Sequence, residues 1–208
     1  VVEVLANVAH QRDERRGGLD SGCMRDMGGR TKGMIDHEHK RRRDREIEDE
    51  TLRRACMQRI HHRLSPEIRK AFQFWPTRME RYFVSCYDAA EGGYFRPHRD
   101  NTTKGTAHRR FAVSLFLNTG EYEGGYLRFP EFGRALYSAP AGGAVVFGCS
   151  LLHEATPVTR GRRYMFLPFL YDDSAAQLRA ENLSYLDAEG ALEQDVVGER
   201  EPGQDQAR

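Results

Sequence analysis

Two textures of apolar and polar positions divide the chain. Val1, Val4, Leu5 and Val8 recur at helical spacing over residues 1–15. Ile47, Leu52, Ala55, Cys56, Ile60, Leu64 and Ile68 do the same over 47–74 and predict one long helix or two short ones. Ser65-Pro66-Glu67 has the form of a second helix start, with Ser65 as cap and Pro66 at the first helical position. Between these series, the glycine-rich, charged stretch 15–33 predicts a loop or irregular strand. From residue 81 to 171 the period shortens. Short β-type runs bounded by glycine, proline or asparagine fall at 81–88, 93–98, 111–118, 125–129, 134–138, 144–148 and 162–171. This order predicts a mainly β fold, a double-sheet sandwich or jelly roll packed against N-terminal helices. Residues 1–79 then form supporting helices and a loop of the same domain, and 80–171 the β core. Residues 172–208 form an acidic tail with a short helix followed by disorder.

A length of 208 residues suits one domain with tails. Net charge is only +1, which argues against a protein built to coat nucleic acid. The one strongly basic run, HKRRRDRE at 39–46, is interrupted by Asp44 and followed by Glu46, Glu48, Asp49 and Glu50. Such mixed signs predict a solvated, salt-bridged face. Cys23, Cys56, Cys86 and Cys149 show no CxxC pair, so free thiols in a reducing cytoplasm are expected. No apolar run approaches the ~20 residues that span a bilayer, and the N-terminus lacks the pattern of a signal peptide. These cues point to a cytoplasmic location away from membranes. Val1 is not an initiator methionine, which predicts that a native chain extends upstream.

The chemistry concentrates in Tyr94-Phe95-Arg96-Pro97-His98-Arg99-Asp100. In an extended segment His98 and Asp100 project to one side and Arg99 to the other. An imidazole and a carboxylate need a third ligand to hold a metal firmly. His153, just beyond the apolar run Ala144-Val145-Val146-Phe147, is the candidate. Two histidines and a carboxylate leave three coordination positions open, which suits non-haem Fe(II) oxygenases. On the triad alone, a surface ion pair with a core histidine and a zinc hydrolase both stay open. The segment after His153 changes the balance. Pro157 and Gly161 mark a turn, so the flanking strands are expected to run antiparallel and place Arg163 near His153 on the neighbouring strand. Arg163, Met165, Leu167 and Phe169 share one face. An arginine on an apolar inward face is costly unless it meets an anion: a bound carboxylate, or a core Asp or Glu.

In the order HxD (98–100), EGGYLRFPEFG (123–133), PAGGAVVFGCSLLHE (140–154) and TPVTRGRRY (156–164), the chain resembles the Fe(II)/2-oxoglutarate-dependent dioxygenase superfamily, and within it the prolyl 4-hydroxylase-like branch. The resemblance covers roughly residues 80–171 and implies a double-stranded β-helix core. It implies that His98, Asp100 and His153 bind Fe(II), and that Arg163 pairs with the distal carboxylate of 2-oxoglutarate. Tyr87 matches a tyrosine that hydrogen-bonds this co-substrate; as a strand aromatic it also reads as core. The implied reaction uses O2 and hydroxylates an unactivated C–H bond, with succinate and CO2 as co-products and ascorbate as a supporting reductant. The implied substrate is a proline-like or other amino acid, free or peptidyl. Asp100 favours hydroxylation over halogenation, because related halogenases leave that position without a carboxylate.

Other readings use the same residues differently: a natural-product tailoring oxygenase, an oxygenase acting on nucleic acid through KRRRDR, or a metal-binding β-barrel without turnover. Val113, Leu115 and Leu117 alternate on one strand and are expected to line or underlie the cavity. Arg96, Arg99, Lys104, Arg109 and Arg110 are expected as solubilising charge, with contact to an acidic substrate at the rim as the alternative. The pairs His37/His39 and His61/His62 lack a third ligand and read as surface residues, and His108 receives no role.

Overall fold

Residues 19–186 are described by a computed structural model, so the expected helix at 1–15 and the end of the tail lie outside the described residues. Before the long helix the chain makes β1 (Leu19–Asp20), β2 (Cys23–Met27), β3 (Arg30–Met34), β4 (Lys40–Arg41) and β5 (Arg43–Glu46). Helix α1 (Glu50–Phe72) follows. The core then supplies β6 (Arg78–Glu80), β7 (Phe83–Asp88), β8 (Tyr94–His98), β9 (Phe111–Phe116), β10 (Glu123–Gly124), β11 (Leu127–Arg128) and β12 (Leu136–Tyr137). It closes with β13 (Ala144–Gly148), β14 (His153–Ala155), β15 (Val158–Arg160), β16 (Arg162–Phe166), β17 (Phe169–Tyr171) and helix α2 (Asp173–Asn182).

The major sheet runs β1-β5-β7-β16-β9-β17-β6, with β13 also paired to β9; the minor sheet runs β12-β11-β14-β8-β4. Their strand pairs are antiparallel, as expected of a double-stranded β-helix. The expected strand 162–171 is two strands, because Pro168 has no N–H to continue a ladder.

Period two sorts the major sheet into faces. Val84, Val113, Leu117, Tyr164 and Phe166 turn outward and form one core with Cys56, Ile60 and Ile68 of α1. Phe116, Met165 and Tyr87 turn inward. Val113, Leu115 and Leu117 therefore belong mainly to the layer beneath the sheet, packed towards α1, while Ala112 and Phe116 occupy the inner side.

Ser65-Pro66 does not start a second helix. α1 is a single element of 23 residues, capped by Asp49, whose side chain accepts from the Leu52 amide at 3.0 Å, and ended by Gln73 in the left-handed region. A proline inside a helix costs ~3 kcal/mol, but each buried aliphatic such as Ile60 or Ile68 returns about 2 kcal/mol, so packing holds the helix together.

The N-terminal region departs most from expectation. Within 19–46, β1 and β5 join the major sheet, β4 joins the minor one and β2 pairs with β3 as a separate hairpin; among the described residues before β6 only 50–72 is a supporting helix. The basic run is not a solvated face throughout. Lys40 is 4% exposed and Arg42 9%, and the Asp44 side chain is 8% exposed and pairs with Arg42 at 2.6 Å. These three alternate inward while Arg41 and Arg43 point outward, which is strand periodicity written in charged residues. Among the described residues no helix is long and apolar enough to cross a membrane, and all four cysteines are free thiols.

Candidate metal centre and anion pocket

β8 ends at His98 and β14 begins at His153, and the two residues lie opposite each other in register. The turn after β8 carries Asp100, whose amide donates to the Cys149 carbonyl at 2.9 Å. The His98 Nε2 is 3.5 Å from Asp100 Oδ1, and the His153 Nε2 is 3.4 Å from Asp100 Oδ2. One ligand atom from each residue lies within 4.8 Å of the others.

Both imidazoles are held in the tautomer a metal needs. His98 Nδ1 lies 2.8 Å from the Arg96 carbonyl and His153 Nδ1 3.0 Å from the Leu151 carbonyl. A carbonyl only accepts, so each Nδ1 carries the hydrogen and each Nε2 keeps its lone pair facing Asp100. Burial pulls the His98 pKa down to about 4, with His153 acting in the same sense and Asp100 against it, so this imidazole is neutral at pH 7. Burial opposes the Asp100 charge, but His153, His98 and Arg109 hold its carboxyl well below the usual range. Phe95 stacks on His98 with ring centroids 3.4 Å apart, and Phe147 packs edge-on to His153 at 4.6 Å. Two imidazole nitrogens and one carboxylate oxygen, walled by aromatic rings, can hold a divalent transition metal.

The centre opens into a cavity of about 220 Å³ whose lining includes His98, Asp100 and His153, and also Tyr87, Arg163, Arg42 and Lys40. Arg163 is 2% exposed, and its Nε has no hydrogen-bond partner among the described residues. Its guanidinium lies 5.0 Å from the Tyr87 ring centroid and 5.3 Å from that of Phe116. Arg163 pairs in register with Tyr87, and no described acidic side chain answers it. A buried guanidinium without a carboxylate is costly by itself and fits an anionic ligand. Arg163 does not lie on a strand beside His153, however. β14 belongs to the minor sheet and β16 to the major one, because β15 intervenes and pairs with β10; both residues reach the cavity from opposing sheets.

Residues 82–171 match the family model for the 2OG-Fe(II) oxygenase superfamily. The match spans the β core of this chain. Members of that superfamily use Fe(II) and 2-oxoglutarate, and the donor set and buried arginine of this core fit both groups. A PKHD-type hydroxylase of Pseudomonas fluorescens is 33% identical over 127 residues, covering 57% of this chain and 54% of that protein. One from Shewanella oneidensis is 27% identical over 186 residues, covering 81% and 80%. The chain spans about half the length of the first of these relatives. A prolyl-4-hydroxylase of Pseudomonas putida superimposes with TM-score 0.57 at 20% identity, covering 82% of this chain and 85% of that one. A prolyl hydroxylase of Trichoplax adhaerens, solved with a hypoxia inducible factor peptide fragment, gives 0.56 at 17%, covering 87% and 79%. These two likenesses show the shared fold.

Several charged side chains sit differently from expectation. Arg109, expected on the surface, is 4% exposed; its Nε donates to Glu80 Oε1 at 2.7 Å and its Nη1 reaches the Asp100 carbonyl at 3.4 Å. His108 is fully buried, with Nε2 2.9 Å from Glu80 Oε2. Arg99 pairs with Glu131 at 2.6 Å, Arg96 donates to the Glu38 carbonyl, Lys104 sits over Tyr185, and Arg110 donates to the Ala107 carbonyl. His37 is exposed and lies 3.5 Å from Asp20, whereas His39 lines the cavity. His61 contacts Ser65 and Trp75 on α1's side.

Proposed function

We propose that this protein is an Fe(II)- and 2-oxoglutarate-dependent dioxygenase that hydroxylates an unactivated C–H bond. The supporting observation is a His98–Asp100–His153 centre sharing one cavity with the unanswered Arg163 guanidinium. His98, Asp100 and His153 would hold the iron, Arg163 would take the distal carboxylate of 2-oxoglutarate, and the Tyr87 hydroxyl would donate to it. Iron with 2-oxoglutarate supplies O2-driven oxidation coupled to release of succinate and CO2. The chain's own residues hold both imidazoles with Nε2 towards Asp100, aim three donors at one point, and surround them with Phe95, Phe147 and Phe129. That apolar wall keeps water from the reacting groups.

For substrate we propose a proline-like or other amino acid, free or within a peptide, with ascorbate as a supporting reductant. The PKHD-type relatives and the prolyl-hydroxylase fold support this choice. Free thiols fit a reducing, cytoplasmic setting. The test is O2- and Fe(II)-dependent succinate formation from 2-oxoglutarate, screened across prolyl peptides and free amino acids. Hydroxylated product in a one-to-one ratio with succinate is expected; no succinate under any condition sinks the proposal.

Gly125 gives a second check. It sits at φ +62°, and a Cβ there would stand 2.6 Å from Arg163 Cδ and 2.9 Å from Val158 Cγ2. Gly125→Ala must displace the arginine or strain the turn, at about 1–3 kcal/mol. The expected result is a roughly tenfold or larger rise in the 2-oxoglutarate Kd with metal affinity unchanged, read by calorimetry.

A further inference from the structure

Three basic side chains meet in the cavity. Lys40, Arg42 and Arg163 all line it, and the buried carboxylate beside them, Asp44, is shared between Arg42 at 2.6 Å and Arg81 at 2.9 Å. Lys40 donates to neutral acceptors, Ser21 Oγ at 2.5 Å and the Gly22 carbonyl at 2.9 Å. The distal carboxylate of one co-substrate answers Arg163, while Arg42 and Arg81 share the single carboxylate of Asp44.

Arg42, like Lys40, lies outside the matched core, since both precede residues 82–171. It enters at the crossing from β4 in the minor sheet to β5 in the major one. Its Nη2 donates to Asp44 and, at 3.1 Å, to Ser21 Oγ. Its Nη1 donates to the Tyr87 hydroxyl oxygen at 3.2 Å. Its Nε is buried without a partner, like that of Arg163. Tyr87 thus lies between two guanidiniums, with Arg42 5.7 Å and Arg163 5.0 Å from its ring centroid.

We infer that Arg42 is a positioning residue for the distal carboxylate of 2-oxoglutarate, acting through the Tyr87 hydroxyl; this rests on the co-substrate reading above. A phenol has one proton. With its oxygen already accepting from Arg42, the Tyr87 O–H turns away from that guanidinium, and among the described residues it finds no acceptor. The carboxylate beside Arg163 is the acceptor it lacks. The positive field of Arg42 adds to that preference for an anion, and Ser21 and Asp44 hold its fork in place. Selection of the dicarboxylate therefore depends on a strand outside the matched core.

The test compares two ligands on Mn(II)-loaded protein by calorimetry. One is 2-oxoglutarate; the other is 2-oxopentanoate, with a methyl group in place of the distal carboxylate. The wild type is expected to prefer the dicarboxylate, and Arg42→Gln to shrink that preference about tenfold or more, the scale of a lost hydrogen bond to a charged group. In a Tyr87→Phe background, Arg42→Gln should then change the preference little further. Arg42→Lys keeps a charge for Asp44 but not a fork that spans Asp44 and Tyr87, so it too must lower the preference if the glutamine variant fails to fold. Mn(II) affinity should stay at the wild-type value throughout. Equal weakening of both ligands, or an unchanged preference, overturns the role of Arg42. A wild type that does not distinguish the two ligands overturns the dicarboxylate pocket itself.

Discussion

Asp100→Ala and His153→Ala are each expected to weaken Fe(II) binding by far more than 100-fold. Even the partners that merely orient metal ligands are worth 10–100-fold, and here a whole ligand is removed from a set of three. Asp100 also supplies the only formal negative charge of that set, and its carboxyl is held ionised by His153, His98 and Arg109. The measurement is anaerobic titration of metal-free protein with Fe(II) and 2-oxoglutarate. The wild type should develop a visible charge-transfer band that neither variant shows, while far-UV circular dichroism stays the same. Wild-type iron affinity in either variant would mean that these residues are not ligands.

Glu80→Gln should lose about 3–5 kcal/mol of stability, because it strips the carboxylate from a cluster sealed off from water. Glu80 is fully buried, Arg109 donates to one of its oxygens and His108 contacts the other, with Arg179 at 3.4 Å. Burial alone would push the Glu80 carboxyl up, but Arg109 and His108 reverse this and hold it at about 2. The folded carboxyl is thus more acidic than the unfolded one. Its stabilisation is full above about pH 4.5 and lost as the pH falls towards 2. Chemical denaturation as a function of pH reads both effects: the gap between wild type and Glu80→Gln should be wide at pH 7 and narrow steadily below pH 4.5. A gap that does not change with pH would remove the carboxylate from the explanation. Since Arg109 also reaches the Asp100 carbonyl, the variant should bind Fe(II) more weakly as well.

The β core was legible because apolar and polar residues alternate there and turn residues punctuate the runs, as in 111–118 and 144–148. His98 and Asp100 were legible as a closely spaced imidazole and carboxylate, although strand alternation is not what joins them: β8 ends at His98 and Asp100 sits in the turn that follows. The very short strands β14 and β15 escaped notice, since three residues carry too little pattern to separate a strand from a turn. The run Lys40, Arg42, Asp44 escaped for another reason. Its alternation is charged on both faces, so a hydropathy pattern reads it as solvent-facing, while in the fold Lys40 and Arg42 line the cavity and Asp44 pairs with Arg42. His108 and Arg109 were hidden likewise, because nothing near them in sequence announces a buried carboxylate 28 or 29 positions earlier.

Local covalent geometry and side-chain period thus determined, from the sequence alone, a mainly β core, an HxD pair close in the chain, and an arginine on an otherwise apolar face. Only the tertiary structure decided that Arg163 meets the centre from the opposing sheet and that Arg42 flanks Tyr87. It also decided that Glu80 answers Arg109 and His108. Those pairings join residues tens of positions apart. Whether a charge is buried depends on which side chains the closing sheets bring against it, and no property of its neighbours in the chain carries that information.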